Sequence, residues 1–235
     1  MKKLINGILK RYNWEIRRPQ PRRIDFLLSR GIDTVVDVGA NVGQFGQEIR
    51  QEGFAGRIYS FEPVRRCYDM LSRNSERDPS WKVFPFGMSD KHGSAKINVS
   101  QNSVFSSLHE ITPSALRFDA GSSAETVEDI ELRRLDDLSS EVKGESLFLK
   151  VDTQGHEPKV LAGAGSLLAR VRGVQLELPI STLYKGSWTM ESALEFMRSI
   201  GFIPTYFWPV SFQKTDPVAM VEVDCIFRRY DPSSD

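Results

Sequence analysis

The chain has 235 residues, of which 40% are hydrophobic and 26% are charged, and its formal net charge is zero. These values suit one large globular domain, or one domain with a short appendage, and argue against a nucleic-acid-binding protein or a disordered chain. The two cysteines, Cys67 and Cys225, lie far apart, which argues against a disulfide scaffold or a zinc knuckle. Because there is neither a long apolar run nor a secretory signal, the sequence predicts a cytoplasmic protein.

The first 30 residues are basic, with nine lysines and arginines against two acidic residues. Five apolar residues of this segment share one face of a helix: Leu4, Ile5, Ile8, Leu9 and Tyr12. We therefore predict a basic amphipathic helical segment over residues 1–21 and a catalytic domain over residues 22–235, with Pro19 and Pro21 at the boundary. We expect the segment to dock on the domain or on a second subunit of a homo-oligomer. The alternative is peripheral contact with an anionic membrane surface.

After these prolines, short β-branched runs alternate with stretches of helical periodicity. We predict strands over residues 34–38, 57–61, 82–86, 146–151 and 173–178. We predict helices over residues 43–51, 65–75, 158–168 and 190–200. Most of the strands are continuous apolar runs, as expected when helices cover both faces of a parallel sheet. The alternation predicts an α/β fold with a doubly wound, mostly parallel sheet.

The end of the chain has a different pattern. Two strand-like runs, over residues 202–207 and 221–228, are separated by a predicted loop that contains Pro209 and Pro217. These runs predict an antiparallel hairpin that closes the sheet. Residues 100–123 are polar and rich in serine, which predicts a mobile loop over the site.

The first predicted strand ends in the run VVDVGANVG. Gly39 and Gly43 allow a sharp turn and the close approach of a ligand to the main chain, so Ala40 and Asn41 inside the turn are also candidate contacts. The turn lacks the third glycine of a dinucleotide-binding turn, and the carboxylate of Asp37 disfavours a diphosphate. It favours a ligand with a cationic amino group, such as the methionine half of S-adenosylmethionine. A tight turn without a ligand is the alternative.

The second and third predicted strands end in residues suited to a nucleoside. Glu62, followed by Pro63, lies about one strand–helix–strand unit after the first turn, where a carboxylate suits hydrogen bonding to two ribose hydroxyls. Ser89 and Asp90 follow the third strand and are predicted to edge an adenine ring. The alternative for Glu62 is a solvated or helix-capping side chain.

Polar residues also follow the fourth and fifth predicted strands. The run LKVDTQGHE contains Asp152, Gln154 and His156, and the run QLELP contains Glu177. A carboxylate after an apolar strand is costly unless it is paired or used, and this edge of the sheet faces the ligand crevice. We predict Asp152, Glu177 and His156 as catalytic residues that orient a methyl acceptor and accept its proton. The alternative for His156 is a helix N-terminal residue or a partly buried imidazole whose hydrogen bonds are satisfied by the protein. Mg²⁺ bound to the carboxylates is an alternative that two carboxylates alone do not favour.

Over roughly residues 32–230 the chain resembles the FkbM family of methyltransferases. The resemblance rests on an ordered set of motifs: VVDVGANVGQF, YSFEP, GMSDKHG, FSSL, RRLDDL, LKVDTQGHE and VQLE. It implies a class I, Rossmann-like methyltransferase fold and S-adenosylmethionine as the methyl donor. It also implies a hydroxyl oxygen as the usual acceptor, on sugars of glycolipids, Nod factors and polysaccharides or on macrolides.

By motif, the resemblance implies roles for nine residues: Asp37, Gly39, Asn41 and Gly43 at the methionine end of the cofactor, Glu62 at the ribose, Ser89 and Asp90 at the adenine edge, and Asp152 and Glu177 facing the acceptor. The chain departs from the family at Gln154, where many members have an acidic residue, and at His156, where they have a small or aromatic residue. We expect O-methylation of a sugar or polyol hydroxyl in a glycan, glycolipid or secondary metabolite. The alternatives are an N-methyltransferase, another small-molecule methyltransferase, or a non-catalytic adenosylmethionine-binding protein.

Overall fold

The computed structural model describes residue 9 and residues 20–232. The predicted basic segment over residues 1–21 therefore lies almost entirely outside the described residues. The helices and strands follow in chain order: α1 (Arg23–Ser29), β1 (Thr34–Val38), α2 (Gln44–Gln51), β2 (Arg57–Phe61), α3 (Arg65–Ser75), β3 (Trp81–Phe84), β4 (Gly87–Met88), β5 (Gly93–Ser100), α4 (Pro113–Phe118), β6 (Ala124–Arg133), β7 (Leu147–Val151), α5 (Glu157–Ala162), β8 (Val171–Pro179), α6 (Met190–Ser199), β9 (Phe202–Gln213) and β10 (Asp216–Arg229).

Seven strands form one sheet in the order β3-β2-β1-β7-β8-β10-β9. β1 pairs in parallel with β2 and β7, and the parallel pairing continues to β3 on one side and to β8 on the other. β10 runs antiparallel to both of its neighbours, β8 and β9. The structure thus confirms the predicted doubly wound, mostly parallel sheet with an antiparallel C-terminal hairpin.

Apolar layers pack on both faces of this sheet. Val36 of β1 belongs to the layer that includes Met197 of α6, whereas Val35 belongs to the layer that includes Leu27 of α1 and Ile49 of α2. β1 is buried on both faces, so its sequence, TVVDV, is mostly apolar, and Asp37 is its one charged residue. Burying each large apolar side chain contributes about 1.5–3 kcal/mol. None of the helices in the described part of the chain is long and apolar enough to cross a membrane.

The helix predicted over residues 158–168 is wrong in its extent. α5 ends at Ala162, and a separate 3₁₀ helix follows over Gly165–Arg170. Gly163 follows α5 and Gly165 begins the 3₁₀ helix, and a glycine disfavours an α-helix interior by about 1 kcal/mol relative to alanine. Gly163 also packs so closely on the main chain of Ser89 that a Cβ there would overlap the serine carbonyl.

The loop predicted within the C-terminal hairpin is also wrong. β9 and β10 are longer than predicted, and Lys214 and Thr215 alone separate them. Pro209 lies in β9, at the edge of the sheet, where a missing N–H is tolerated. Pro217 lies near the start of β10, before that strand begins to pair with β8 at Glu222.

Residues 100–123, predicted as a mobile loop, are folded. They connect β5 to β6, two strands of a second sheet in the order β4-β6-β5, and they contain α4. The Ser100 hydroxyl is buried and hydrogen-bonds to the carbonyl oxygens of Phe105 at 3.1 Å and Ser122 at 2.9 Å. Serine therefore stabilises main-chain groups inside the segment, so its polar composition did not indicate exposure.

Candidate active site

A cavity of about 300 Å³ opens at the carboxyl edge of the parallel strands. Its wall is formed by residues at the ends of β1, β2 and β7 and in the segments that follow them, by residues of β8 and β10, and by the second sheet. Ligand sites in open α/β sheets lie at this edge, so the cavity is the candidate active site. It is lined by eight of the residues predicted from the sequence: Gly39, Ala40, Asn41, Glu62, Pro63, Asp152, His156 and Glu177.

The turn after β1 forms one wall of the cavity. The N–H groups of Gly39 and Ala40 donate to the carbonyl oxygen of Phe61 at 3.0 and 3.1 Å, which ties the turn to the end of β2. Gly39 has a φ of +74°, and a Cβ at this position would overlap the carbonyl oxygen of Asp152. Glycine is therefore required here, because the turn and the end of β7 are in main-chain contact.

Glu62 lies at the end of β2 and lines the cavity, although it is only 6% exposed. Its two carboxylate oxygens accept hydrogen bonds from the N–H groups of Asn41 and Val64, each at 2.8 Å. Burial raises the pKa of Glu62 to about 7, and the two N–H groups oppose this rise. The main chain thus holds the carboxyl in one orientation, and further lone pairs of its oxygens are free to accept from a ligand.

Asp37 does not line the cavity. It is fully buried in β1, 3.2 Å from the Lys150 Nζ, and it accepts a hydrogen bond from the Ser60 hydroxyl at 3.3 Å. Burial raises the pKa of Asp37, and the charge of Lys150 opposes this effect. The structure therefore places a lysine of the protein, rather than open space for a ligand, beside this carboxylate.

Lys150 is a residue of the site that the sequence analysis did not single out. Its Nζ donates to the Gly39 carbonyl at 3.0 Å and lies 3.4 Å from the Asp152 carboxylate, so it links β1, the turn and the end of β7. Its nearby carboxylates raise the pKa of Lys150 against the effect of burial. The available signal was a lysine inside the apolar run LFLKV, since a buried lysine requires a partner.

On the part of the wall formed by the segment after β7 and by β8, Gln154 joins the two carboxyls predicted to be catalytic. Its Nε2 donates to Asp152 at 2.7 Å and to Glu177 at 3.0 Å, and its Oε1 accepts from the Tyr184 hydroxyl at 2.6 Å. Burial, and then the charge of Asp152, raise the pKa of Glu177 well above its ordinary value. Two carboxyls therefore converge on one part of the wall, and one of them has an increased proton affinity.

Arg23, at the start of α1, also lines the cavity. The sequence analysis had included it only as part of the basic N-terminal stretch. Its guanidinium donates to Glu48 at 3.0 Å, to Gln175 at 3.0 Å and to Asp224 at 2.7 Å. All of these residues line the cavity, and Asp224 pairs across the strands with Glu177. The partners come from three distant elements, so their meeting depends on the tertiary structure.

His156 lines the cavity, but both of its ring nitrogens have partners in the protein. Nε2 lies 3.0 Å from the Ser89 hydroxyl, and Nδ1 lies 3.3 Å from the Nε2 of His109. Burial lowers the pKa of His156 to about 4, and the neighbouring His109 adds to this effect. The imidazole is therefore neutral near pH 7, and its contacts suit positioning of the segment after β7 better than proton abstraction.

Besides Asp37, three of the predicted cofactor residues lie outside the cavity wall. Gly43 precedes α2, and Ser89 and Asp90 follow β4. Ser89 is buried and contacts Asp90 at 3.2 Å, and the Asp90 carboxylate accepts from Lys159 at 3.0 Å. The cavity is lined instead by Gly87 and Met88 of β4 and by three apolar residues of the neighbouring strands, Ile97, Ile130 and Leu132.

Within residues 20–232, no group of three or more His, Cys, Asp or Glu side chains is arranged to hold a metal ion. The Mg²⁺ considered for Asp152 and Glu177 therefore gains no third ligand of these types from the described structure.

The fold is the Rossmann-like fold of class I methyltransferases. The structure is similar to that of TrmK from M. capricolum, solved in complex with the cofactor product S-adenosylhomocysteine. The TM-score is 0.50 at 6% sequence identity, with 91% of this chain and 70% of that chain covered. At this identity the likeness concerns the fold.

The chain belongs to the FkbM family of methyltransferases, since the Methyltransferase FkbM domain matches residues 37–204. The protein is thus an S-adenosylmethionine-dependent methyltransferase, as the sequence motifs predicted. It is 25% identical to the 2-O-methyltransferase NoeI of Sinorhizobium fredii over 84% of this chain and 86% of that protein. It is also 28% identical to the hexuronic acid methyltransferase AglP of Haloferax volcanii, over 62% of this chain and 56% of that protein.

Proposed function

We propose that the protein transfers the methyl group of S-adenosylmethionine to a hydroxyl oxygen of a sugar or another polyol. The observation that carries this proposal is the hydrogen-bonded bridge from Gln154 to Asp152 and Glu177 at the cavity wall. A hydroxyl group that donates to a carboxylate there becomes a better nucleophile as its proton is removed, an effect typically worth about 10²–10⁴-fold in rate.

The part of the cavity wall around Gly39 and Glu62 suits the methyl donor. When bound, S-adenosylmethionine supplies a methyl group carried on a positively charged sulfonium. Glu62 offers two oriented oxygens to ribose hydroxyls, and the glycine at position 39 allows a ligand to approach the main chain. Gly87, Met88 and the apolar residues beside them offer a slot for a planar ring.

The acceptor end is lined with groups that bind hydroxyls. Carboxylates and side-chain amides accept and donate hydrogen bonds in the geometry that several neighbouring hydroxyl groups require. Asp152, Gln154, Gln175 and Glu177 provide such groups on one side of the cavity. The names of NoeI and AglP, a 2-O-methyltransferase and a hexuronic acid methyltransferase, support a sugar as the acceptor class.

The proposal is tested by incubating the purified protein with labelled S-adenosylmethionine and a glycan pool from the host. We expect some glycans to gain the mass of one CH₂ group, with the label on oxygen. The matched control is Glu177→Gln, which should bind the cofactor and label the same glycans far more slowly. Parallel reactions with EDTA, and with Mg²⁺ added back, determine whether an ion takes part.

Two outcomes would contradict the proposal. Cofactor binding without labelling of any glycan or small polyol would favour a non-catalytic binding protein. Label on nitrogen, with none on oxygen, would favour an N-methyltransferase.

A further inference from the structure

Glu222 is a buried carboxyl that the sequence analysis did not single out and that does not line the main cavity. It lies on β10, is 8% exposed, and accepts a hydrogen bond from the Ser211 hydroxyl at 3.1 Å. In the antiparallel register, Asp224 pairs with Glu177 and Glu222 pairs with Pro179. Glu222 and Glu177 are therefore diagonal neighbours on one face of the sheet, within reach of their long side chains.

The antiparallel register thus brings the two carboxyl groups within reach of a mutual hydrogen bond. Two ionised carboxylates have no donor between them, so such a hydrogen bond requires one proton on the pair. Burial raises the pKa of Glu177 and raises that of Glu222 to about 7, and the negative charge of Asp152 acts in the same direction on both.

Charged and titratable groups face the pair from several elements: Asp152 after β7, Glu157 at the start of α5, Tyr184 before α6 and Asp224 on β10. Two cations lie nearby, and each is bound to one of these aspartates: Lys150 to Asp152 and Arg23 to Asp224. The surroundings of the pair are thus mainly anionic, which disfavours a second negative charge on it.

Glu177 also separates two cavities. It lines the main cavity and a smaller one of about 20 Å³, whereas Glu222 lines the smaller one alone. A cavity of this size holds about one water molecule. Trp188 also lines it, and the Trp188 Nε1–H is buried with no acceptor among the described residues. Polar groups are therefore available on the far side of Glu177 from the main cavity.

We propose that Glu177 and Glu222 act as one proton-sharing pair, in which Glu177 faces the acceptor and Glu222 holds the shared proton behind it. The proposal rests on the proposed O-methyl transfer and extends it to a positioning residue. The acceptor oxygen forms a bond to the methyl carbon while the carbon–sulfur bond breaks and its electron pair stays on sulfur. The hydroxyl proton moves to Glu177, and the proton on Glu222 leaves through the smaller cavity to solvent. The pair thus ends with the single proton with which it began.

The same arrangement makes the pair sensitive to charge in the main cavity. A cation there stabilises a carboxylate at Glu177, which lines that cavity, more than one at Glu222, which does not. The methyl donor, with its positively charged sulfonium, therefore shifts the shared proton to Glu222, and the product S-adenosylhomocysteine, whose thioether sulfur is neutral, does not.

Infrared spectroscopy tests the pair without an acceptor, so its result is independent of the proposed reaction. In the free protein we expect the C=O band of a protonated carboxyl, and we measure the pH at which this band disappears. In Glu222→Gln the midpoint should fall by about one pH unit or more, because Glu177 loses its anionic neighbour. Asp216→Asn, an exposed change on the same strand, is the matched control and should keep the wild-type midpoint.

Adding S-adenosylmethionine should shift the band, and adding S-adenosylhomocysteine should not. An unchanged midpoint in Glu222→Gln, or equal shifts with the two ligands, would overturn the pair.

Kinetics on an acceptor found in the glycan assay provide the second test. In Glu222→Gln, kcat should fall about tenfold while KM stays constant, and the acidic limb of the kcat profile should move to lower pH. A merely structural role would lower kcat equally at every pH and leave the limb in place, which would contradict the proposal. If Glu222→Gln does not fold, Glu222→Asp keeps the carboxyl group and should keep the wild-type limb. An acidic limb of Glu222→Asp that lies at clearly lower pH than the wild-type limb would count against the pair.

Discussion

Two parts of the cavity wall are built in different ways. In the part proposed to bind the cofactor, main-chain N–H groups orient Glu62 and tie the turn after β1 to β2. In the part proposed to bind the acceptor, which we call the acceptor end, side chains bind to side chains, as Gln154 does to Asp152 and Glu177. A wall made of main-chain contacts depends on a short local sequence, whereas a wall made of side chains changes with a single substitution. The fold can therefore keep one methyl donor while its acceptor changes.

The largest effect that would separate the two ends is expected for Glu177→Gln and Asp152→Asn. Each should reduce kcat by about 10²–10⁴-fold, because a group that accepts or orients the proton is lost. Affinity for S-adenosylmethionine should change less than about tenfold, since neither change touches Glu62. Single-turnover methyl transfer and calorimetry measure the two quantities. An equal loss of rate and cofactor affinity would show that the ends are not separable.

Gly39→Ala tests the main-chain end. The added Cβ would overlap the Asp152 carbonyl and would also require a left-handed alanine, so we expect a loss of about 2–5 kcal/mol in the free energy of unfolding. Gly31→Ala is the matched control, because Gly31 also has a positive φ, of +59°, but a Cβ there meets nothing within 4 Å. That variant should lose about 1–2 kcal/mol. Urea unfolding compares them, and similar losses would mean that the close approach at Gly39 is unimportant.

Glu62→Gln should weaken cofactor binding by about 1–3 kcal/mol, because hydrogen bonds to a charged group are lost. In the wild type, affinity should fall as the pH drops below about 7, where the carboxyl becomes protonated. Calorimetry across this range should show a much flatter profile for the variant. A wild-type profile that stays flat would remove Glu62 from the ribose role.

The same variant tests the burial of Glu62 through stability. The pKa of this group is about 7 in the folded protein, above its ordinary value of 4.5. The protonated Glu62 carboxyl therefore makes its full contribution to the free energy of unfolding below pH 4.5. That contribution, about 3 kcal/mol in total, is lost as the pH rises through about 7. The difference in unfolding free energy between wild type and Glu62→Gln, measured on both sides of this range, should change by that amount.

The smallest effect is expected for His156→Ala. Both ring nitrogens have protein partners and the imidazole is neutral near pH 7, so we expect kcat to fall by less than about tenfold. The measurement is the same single-turnover assay. If His156→Ala were inactive while the carboxyl variants stayed active, the imidazole would be the base, and the acceptor end would be assigned wrongly.

The comparison also explains what the sequence could predict. The bounds of β1, β2 and α3 agree with the prediction, because continuous apolar runs and helical periodicity follow directly from burial. Glu62 was predicted as a residue of the site because it follows the second strand, and it does line the cavity, while its ribose role stays a prediction. Glu222 and the partners of Arg23 were missed because they depend on the register between β8 and β10, which no local pattern specifies. The second sheet was missed because its longest strand, β6, is mostly exposed and rich in acidic residues, so it lacks the apolar run of the central strands.

The contact between Arg23 and Asp224 joins residues that are 201 positions apart in the chain. During synthesis on the ribosome, β1, β2 and the turn between them emerge long before β10. The part of the cavity wall that Arg23 and Asp224 form is therefore missing until β10 has emerged. Completion of the cavity is thus coupled to the arrival of the last strand, which is also the strand that pairs with β8 beside Glu177.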